Sequence, residues 1–201
     1  MHLSELILIY LDSPRINRLT NVAAHFRALA GFAAQAGMPV SSRVAFSADE
    51  ARRALQGCQA DILYLLGHSQ GHGGVVIGGK AALDGRALAA WLPRRIERLP
   101  RVIVFNTCDA LSSGLVNAAL AAGVSSLAAA TGSIPISAMC TYGESLFRSW
   151  LSNGAPLSRA VQTANEEFAK AGPRFEVFGE RSGSTLYTLL QTTTADSQVS
   201  V

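Results

Sequence analysis

The apolar residues of this chain fall into short continuous runs, separated by segments in which they recur every three or four positions. Runs such as LILIYL and ILYLL are typical of strands that are covered on both faces of a sheet. Asp12, Ser13 and Pro14 end the first run, and Gly67 follows the second. The pattern predicts strands over residues 6–11, 40–46, 62–66, 102–105, 124–130 and 186–190.

Helical periodicity fills the intervals between these strands. Ser47 followed by Glu50 is a helix-capping pattern, and Asp84 is a cap residue in front of a further helix. A glycine-rich segment, residues 71–79, predicts a hairpin around Val75–Ile77. The predicted helices cover residues 21–36, 47–56, 84–92, 114–122, 146–151 and 157–169.

Strands that alternate with helices at this spacing need crossover connections, so the sheet is mainly parallel and has helices on both faces. The predicted fold class is therefore α/β, a three-layer α/β/α sandwich. The chain has 201 residues and no internal repeat or linker-like stretch. We expect a single domain over residues 1–201, with a frayed polar tail from about residue 192.

Composition and charge narrow the classes of function. A hydrophobic content of 49% with only 15% charged residues excludes a disordered chain. The net charge of +3 is spread along the chain and gives no nucleic-acid footprint, and no stretch is apolar enough to predict a membrane span. Three cysteines without CxxC spacing argue against a disulfide framework and a thiolate metal site. We therefore expect a reducing, cytoplasmic location and no cofactor.

Two residues with base and nucleophile chemistry stand just beyond predicted strands. His68 follows residues 62–66, and Cys108 follows residues 102–105. If these strands are neighbours about 5 Å apart, both side chains emerge at one edge of the sheet, where ligands and reactive groups gather. An imidazole can deprotonate a thiol and later protonate a leaving amine. The two residues are candidates for a catalytic pair, although each alone is more commonly a core residue or a turn former.

Several blocks of the sequence resemble those of CHAT-domain peptidases, which belong with the caspases, separases and metacaspases. DILYLLGH, ending at His68, is similar to the family's strand and Gly-His-Gly block, and FNTCD, containing Cys108, resembles its Asn-Ala-Cys-Glu-Ser block. AAATGSIP at 128–135 and LSNGAPLSRA at 151–160, with Phe147 before it, are similar to later blocks. The resemblance covers about residues 55–170. It implies a caspase-like sandwich and a cysteine endopeptidase with a Cys-His dyad.

The same resemblance implies roles for the surrounding residues. The backbone N–H groups of Ser69 and Cys108 would form the oxyanion hole. The pocket for the P1 side chain would be walled by Asn106 and by the loop over residues 133–138, with Ser133, Pro135 and Ser137 as its candidates. Asp109 is expected to point toward the following helix. An uncharged pocket predicts a small or apolar P1 residue, because a charge buried without a partner is costly.

Two departures from the family pattern leave alternatives open. The family usually has glycine where this chain has Ser69, and a side chain there can change the loop conformation. His72 lies within a true Gly-His-Gly and is the rival base, although His68 is closer to the strand end.

Three hypotheses for the function are compared with these observations. The first is a cysteine endopeptidase acting on protein or peptide substrates, either alone or activated by a separate protein. The second is a catalytically inactive CHAT-like regulatory or interaction module, which the serine at position 69 motivates. The third, a doubly wound hydrolase or nucleotide-binding domain, lacks a GxSxG motif, and GHSQGHGG is only a weak phosphate-loop signal.

Overall fold

Two sheets organise the chain, which we describe from a computed structural model over residues 5–13, 21–69, 74–95, 98–168 and 175–179. A six-stranded sheet, with strands numbered along the chain, contains β1 (Leu6–Leu11), β2 (Val40–Ala45), β3 (Ile62–Leu66), β7 (Val102–Asn106), β8 (Ser126–Ala130) and β9 (Phe175–Phe178). Their order in the sheet is β2-β1-β3-β7-β8-β9. A three-stranded antiparallel sheet contains β4 (His68–Ser69), β5 (Val75–Ile77) and β6 (Lys80–Leu83).

The helices begin largely where capping residues predict. The Ser47 hydroxyl accepts a hydrogen bond from the Glu50 N–H, and the Asp84 carboxylate accepts one from the Ala87 N–H. Both satisfy backbone donors that a first helical turn leaves open. The described helices are α1 (Val22–Gln35), α2 (Ala48–Gln56), α3 (Gly85–Trp91), α4 (Leu115–Ala122), α5 (Ile136–Phe147) and α6 (Leu157–Glu167), with a π-helical turn (Arg148–Ser152) continuing α5.

Each face of the central sheet has its own hydrophobic core. On one face, alternate strand residues such as Leu8 and Val104 pack with side chains of α1, α5 and α6. On the other face, Ile9 and Phe105 pack with side chains of α2, α3 and α4. Neighbouring strands of this sheet run parallel except β8 and β9. The predicted α/β/α sandwich with a mainly parallel sheet is confirmed.

Four details of the sequence-based prediction need correction. The predicted helix at 146–151 is the end of a helix that already begins at Ile136. His68 and Ser69 form a strand, and the hairpin predicted around Val75–Ile77 is present but extends to Leu83 through the pairing of β5 with β6. The strand β9 was not predicted. The predicted strand at 186–190 and the tail from 192 lie outside the described residues.

Of the helices in the described ranges, none combines the length and the apolar character that a bilayer crossing requires.

Candidate active site

The strands that precede the two candidate residues are neighbours in the central sheet. β3 pairs in parallel with β7, and Leu66 is in register with Asn106. His68 lies two positions beyond Leu66, and Cys108 lies two positions beyond Asn106. The condition for bringing both residues to one edge of the sheet, that their strands are neighbours, is therefore met, and both residues follow the carboxyl ends of central strands.

Two hydrogen bonds continue this pairing past the ends of the strands. The Gly67 N–H donates to the carbonyl oxygen of Asn106 at 3.3 Å. The Ser69 hydroxyl donates to the carbonyl oxygen of Cys108 at 2.8 Å. Because these two donors flank His68 on both sides, the His68 backbone runs alongside the segment that carries Cys108.

The small antiparallel sheet fixes how the chain leaves β3. His68 pairs with Val76 and Ser69 pairs with Val75. Gly67 makes the bend between the two sheets possible, since a Cβ at that position would lie 2.5 Å from Val75 Cγ1. A larger residue would push β5 away, and the orientation of His68 would change with it.

The Cys108 thiol is held beneath the loop that follows β8. Its side chain is 5% exposed. The Sγ atom accepts a hydrogen bond from the Ile134 N–H at 3.1 Å and donates to the Ile134 carbonyl oxygen at 3.4 Å. A thiol satisfies both bonds at once, because its sulfur accepts from the N–H while its S–H donates to the carbonyl oxygen.

Asp109 adds two further connections between the same segments. Its N–H donates to the Gly132 carbonyl oxygen at 3.1 Å, and its carboxylate accepts a hydrogen bond from the Ser133 hydroxyl at 3.3 Å. The expectation that Asp109 points toward the following helix is therefore wrong: the carboxylate contacts the loop after β8. Asp109 also has a φ of 51°, a left-handed conformation that is uncommon for a residue other than glycine and that turns the chain sharply after Cys108.

The predicted pocket residues occupy different environments. Ser133 and Pro135 are exposed on the loop after β8, and Pro135 caps α5. Ser137 lies in the first turn of α5, because the segment expected to be a loop through residue 138 becomes helical at Ile136. Asn106 has no exposed surface and donates from Nδ2 to the Tyr64 hydroxyl and to the Met139 carbonyl oxygen. Asn106 is therefore buried, whereas Ser133 and Pro135 are exposed.

The hydrogen bonds of Asn106 belong to a buried polar network that the sequence pattern did not predict. His25, on α1, is 1% exposed. Its Nε2 lies 2.7 Å from the Tyr64 hydroxyl, and its Nδ1 lies 3.0 Å from a carboxylate oxygen of Glu144 on α5. A lone histidine in an apolar helix gives no local signal for such a network, since its partners lie far away in the sequence.

The partners of His25 define its protonation state. Burial lowers the pKa of His25 below its ordinary value, against the opposing hydrogen bond and charge of Glu144. A carboxylate only accepts hydrogen bonds, so in the neutral imidazole Nδ1 carries the proton and Nε2 accepts from the Tyr64 hydroxyl. Every polar atom of the His25 ring is thus satisfied in its neutral form.

In the described part of the chain, no group of three or more His, Cys, Asp or Glu side chains is arranged to hold a metal ion. The rival base His72 lies outside the described residues.

Comparison with known proteins identifies the family. The three-layer sandwich, with a cysteine and a histidine following adjacent central strands, is consistent with the caspase-like class of fold. Residues 10–176 match the family model of the CHAT domain. The chain therefore belongs to the CHAT-domain family, which is a family of caspase-like peptidases, as its sequence blocks indicated. No curated protein gives a significant match.

Proposed function

We propose that this chain is a cysteine endopeptidase that hydrolyses peptide bonds in protein substrates, with Cys108 as nucleophile and His68 as general base. The observation that supports this most directly is the pair of hydrogen bonds from Gly67 and Ser69 to the Asn106 and Cys108 carbonyl oxygens. They hold the backbone of the base beside the backbone of the nucleophile. Membership of a peptidase family supports the same assignment.

In the proposed reaction, His68 accepts the thiol proton of Cys108 and the sulfur attacks the scissile carbonyl carbon. The backbone N–H groups of Ser69 and Cys108 stabilise the oxyanion. The C–N bond then breaks as the imidazolium gives its proton to the leaving amine, which leaves a thioester on Cys108. His68 next deprotonates a water molecule, whose attack releases the acid and regenerates the thiol.

Substrate entry requires a change around Ile134. Cys108 is 5% exposed and its sulfur is hydrogen-bonded to the Ile134 backbone, so a peptide carbonyl reaches the sulfur only when this loop shifts. We propose that the described conformation is a resting state and that a separate activating protein is one means of shifting the loop. A reducing cytoplasmic setting would keep the thiol available.

Covalent labelling with a peptidyl acyloxymethyl ketone tests the nucleophile. We expect wild-type protein to be labelled, Cys108→Ala to be unlabelled, and the matched control Cys140→Ala, which removes another buried thiol, to be labelled normally. His68→Ala should lower turnover by about 10²–10⁴, the range for loss of a general base. Folded wild-type protein that neither takes up the label nor cleaves any peptide would favour the inactive module instead.

The same assay separates the two candidate bases. His72→Ala should keep most of the activity that His68→Ala loses. The opposite result, with His72→Ala inactive and His68→Ala active, would move the general base to His72.

A peptide-library profile tests the pocket. The segment from Thr131 to Ala138 carries no basic residue and so offers no partner to an acidic P1 side chain, and a profile dominated by aspartate would contradict the prediction. We expect small or apolar P1 residues. Because the Asp109 carboxylate contacts this loop, a profile dominated by lysine or arginine would instead assign P1 recognition to Asp109, and Asp109→Asn would then abolish that preference.

A further inference from the structure

The side chain of Ser69 is buried against the segment that carries the candidate nucleophile. It is 5% exposed, and its hydroxyl donates to the carbonyl oxygen of Cys108 itself at 2.8 Å. A buried hydroxyl is costly without a partner, so this bond determines where the side chain lies. The hydroxyl therefore links the residue next to His68 directly to Cys108.

The His68 segment pairs through its backbone with a small sheet and with the end of a central strand. The strand β4 consists of His68 and Ser69 only, and its register partners are Val76 and Val75 of the small sheet. Toward the central sheet, Gly67 donates one backbone bond to Asn106 at 3.3 Å. The Ser69 hydroxyl makes a shorter bond, at 2.8 Å, and its acceptor belongs to the candidate nucleophile.

We propose that Ser69 is a positioning residue whose hydroxyl holds the His68 segment against Cys108, so that the imidazole keeps its position relative to the thiol. This inference rests on the proposed function insofar as it takes His68 as the base of Cys108. A proton transfer between two side chains requires hydrogen-bond reach, and a misplacement of about 1 Å can cost about 10²-fold in rate. The oxyanion-hole role proposed for the backbone N–H of Ser69 is separate, because it does not require the hydroxyl.

The test compares Ser69→Ala, which removes the hydroxyl, with Ser69→Thr, which keeps it. Ser113→Ala is the matched control, because Ser113 is 8% exposed and its hydroxyl likewise donates to a backbone carbonyl oxygen, that of Ala110 at 3.1 Å. Two readouts are needed: kcat and KM on a cleaved peptide, and the pH dependence of Cys108 alkylation by iodoacetamide, followed on the tryptic peptide by mass spectrometry.

We expect Ser69→Ala to lower kcat about tenfold with KM changed by less than about twofold, the pattern of an interaction that acts in the transition state. Alkylation of Cys108 should shift to higher pH, because a displaced imidazole stabilises the thiolate less. Ser69→Thr should keep both kcat and the pH dependence of Cys108 alkylation close to those of the wild-type protein. Ser113→Ala should leave both unchanged while losing a comparable buried bond.

A second series of variants tests whether the effect of Ser69→Ala depends on His68. In a His68→Ala background, Ser69→Ala should cause no further shift of the alkylation profile, because its hydroxyl acts through the imidazole. An equal shift with and without His68, or no shift at all, would overturn the proposal. If wild-type protein cleaves no peptide but Ser69→Ala still shifts the profile only when His68 is present, the proposed function fails and the positioning role of Ser69 stands.

Discussion

Gly143 provides the sharpest test of the packing beneath the candidate site. It lies within α5, and a Cβ built on it would lie 2.7 Å from the Tyr64 hydroxyl oxygen, 3.1 Å from Asn106 Nδ2 and 3.1 Å from His25 Cε1. Tyr64 and Asn106 are fully buried, and the hydroxyl is bonded to both His25 and Asn106. The side chains around Gly143 therefore cannot make room without weakening those bonds.

Two opposing contributions set the size of the effect of Gly143→Ala. Alanine in place of glycine inside a helix stabilises by about 0.5–1 kcal/mol. Disrupting the two hydrogen bonds of the Tyr64 hydroxyl, with buried partners left unsatisfied, costs about 1–3 kcal/mol for each. We expect the free energy of unfolding to fall by about 1–5 kcal/mol, equivalent to about 2–4 °C in Tm for each kcal/mol at this chain length.

Gly31→Ala is the matched control. Gly31 also lies within a helix, α1, but a Cβ there meets no atom within 4 Å. We therefore expect urea unfolding to show this variant stabilised by up to about 1 kcal/mol. If Gly143→Ala is stabilised to the same degree, a Cβ at position 143 does not clash with the Tyr64 hydroxyl.

A double-mutant cycle identifies which atom causes the loss. Tyr64→Phe removes the hydroxyl that lies closest to the new Cβ. In that background the cost of Gly143→Ala should become smaller than in the wild-type protein, because the shortest contact is gone. Equal costs in both backgrounds would refute the assignment of the clash to Tyr64.

Three further predictions concern other parts of the fold. Burial lowers the pKa of His25 in the folded protein, so on acidification this histidine binds its proton at a higher pH in the unfolded chain than in the folded one. The free energy of unfolding should therefore decrease below about pH 6.5, and it should decrease less in His25→Gln. Urea titrations at several pH values measure this difference. Cys58→Ser and Cys140→Ser should retain peptidase activity if folded, since neither thiol follows a central strand. Ser47→Ala should lower Tm by removing the cap on Glu50, at a cost of about 0.5–2 kcal/mol.

The sequence predicts the central strands well because their burial on both faces requires continuous apolar runs. Residues 6–11 and 62–66 were predicted with the bounds that the structure has, and the strand beginning at Val102 is longer by one residue, Asn106. Asn106 escaped the prediction because it is polar, yet its amide is fully buried by partners on β3 and α5. Local hydropathy cannot anticipate a polar side chain whose partners come from elsewhere in the fold.

The start of α5 was missed for a related reason. Its segment contains Gly143 and several small or polar residues, which weaken the helical pattern, and it follows Gly132 and Pro135, which favour a loop. In the structure, Gly143 stands where α5 approaches Tyr64 too closely for a side chain. The residue that lowered the helix propensity is therefore required by a contact with another element of the fold.

The candidate site shows the same division between local and long-range information. The spacing of His68 and Cys108 after two apolar runs leaves room for one crossover, and parallel strands joined by one crossover commonly pair. It could not predict that His68 and Ser69 form a strand, because that strand depends on pairing with Val75 and Val76. Nor could it predict the bond from Ser69 to Cys108, which exists because this small sheet directs the hydroxyl at the nucleophile segment. Ser69, which stands where the family usually has glycine, thus makes one of the contacts between the two proposed catalytic segments.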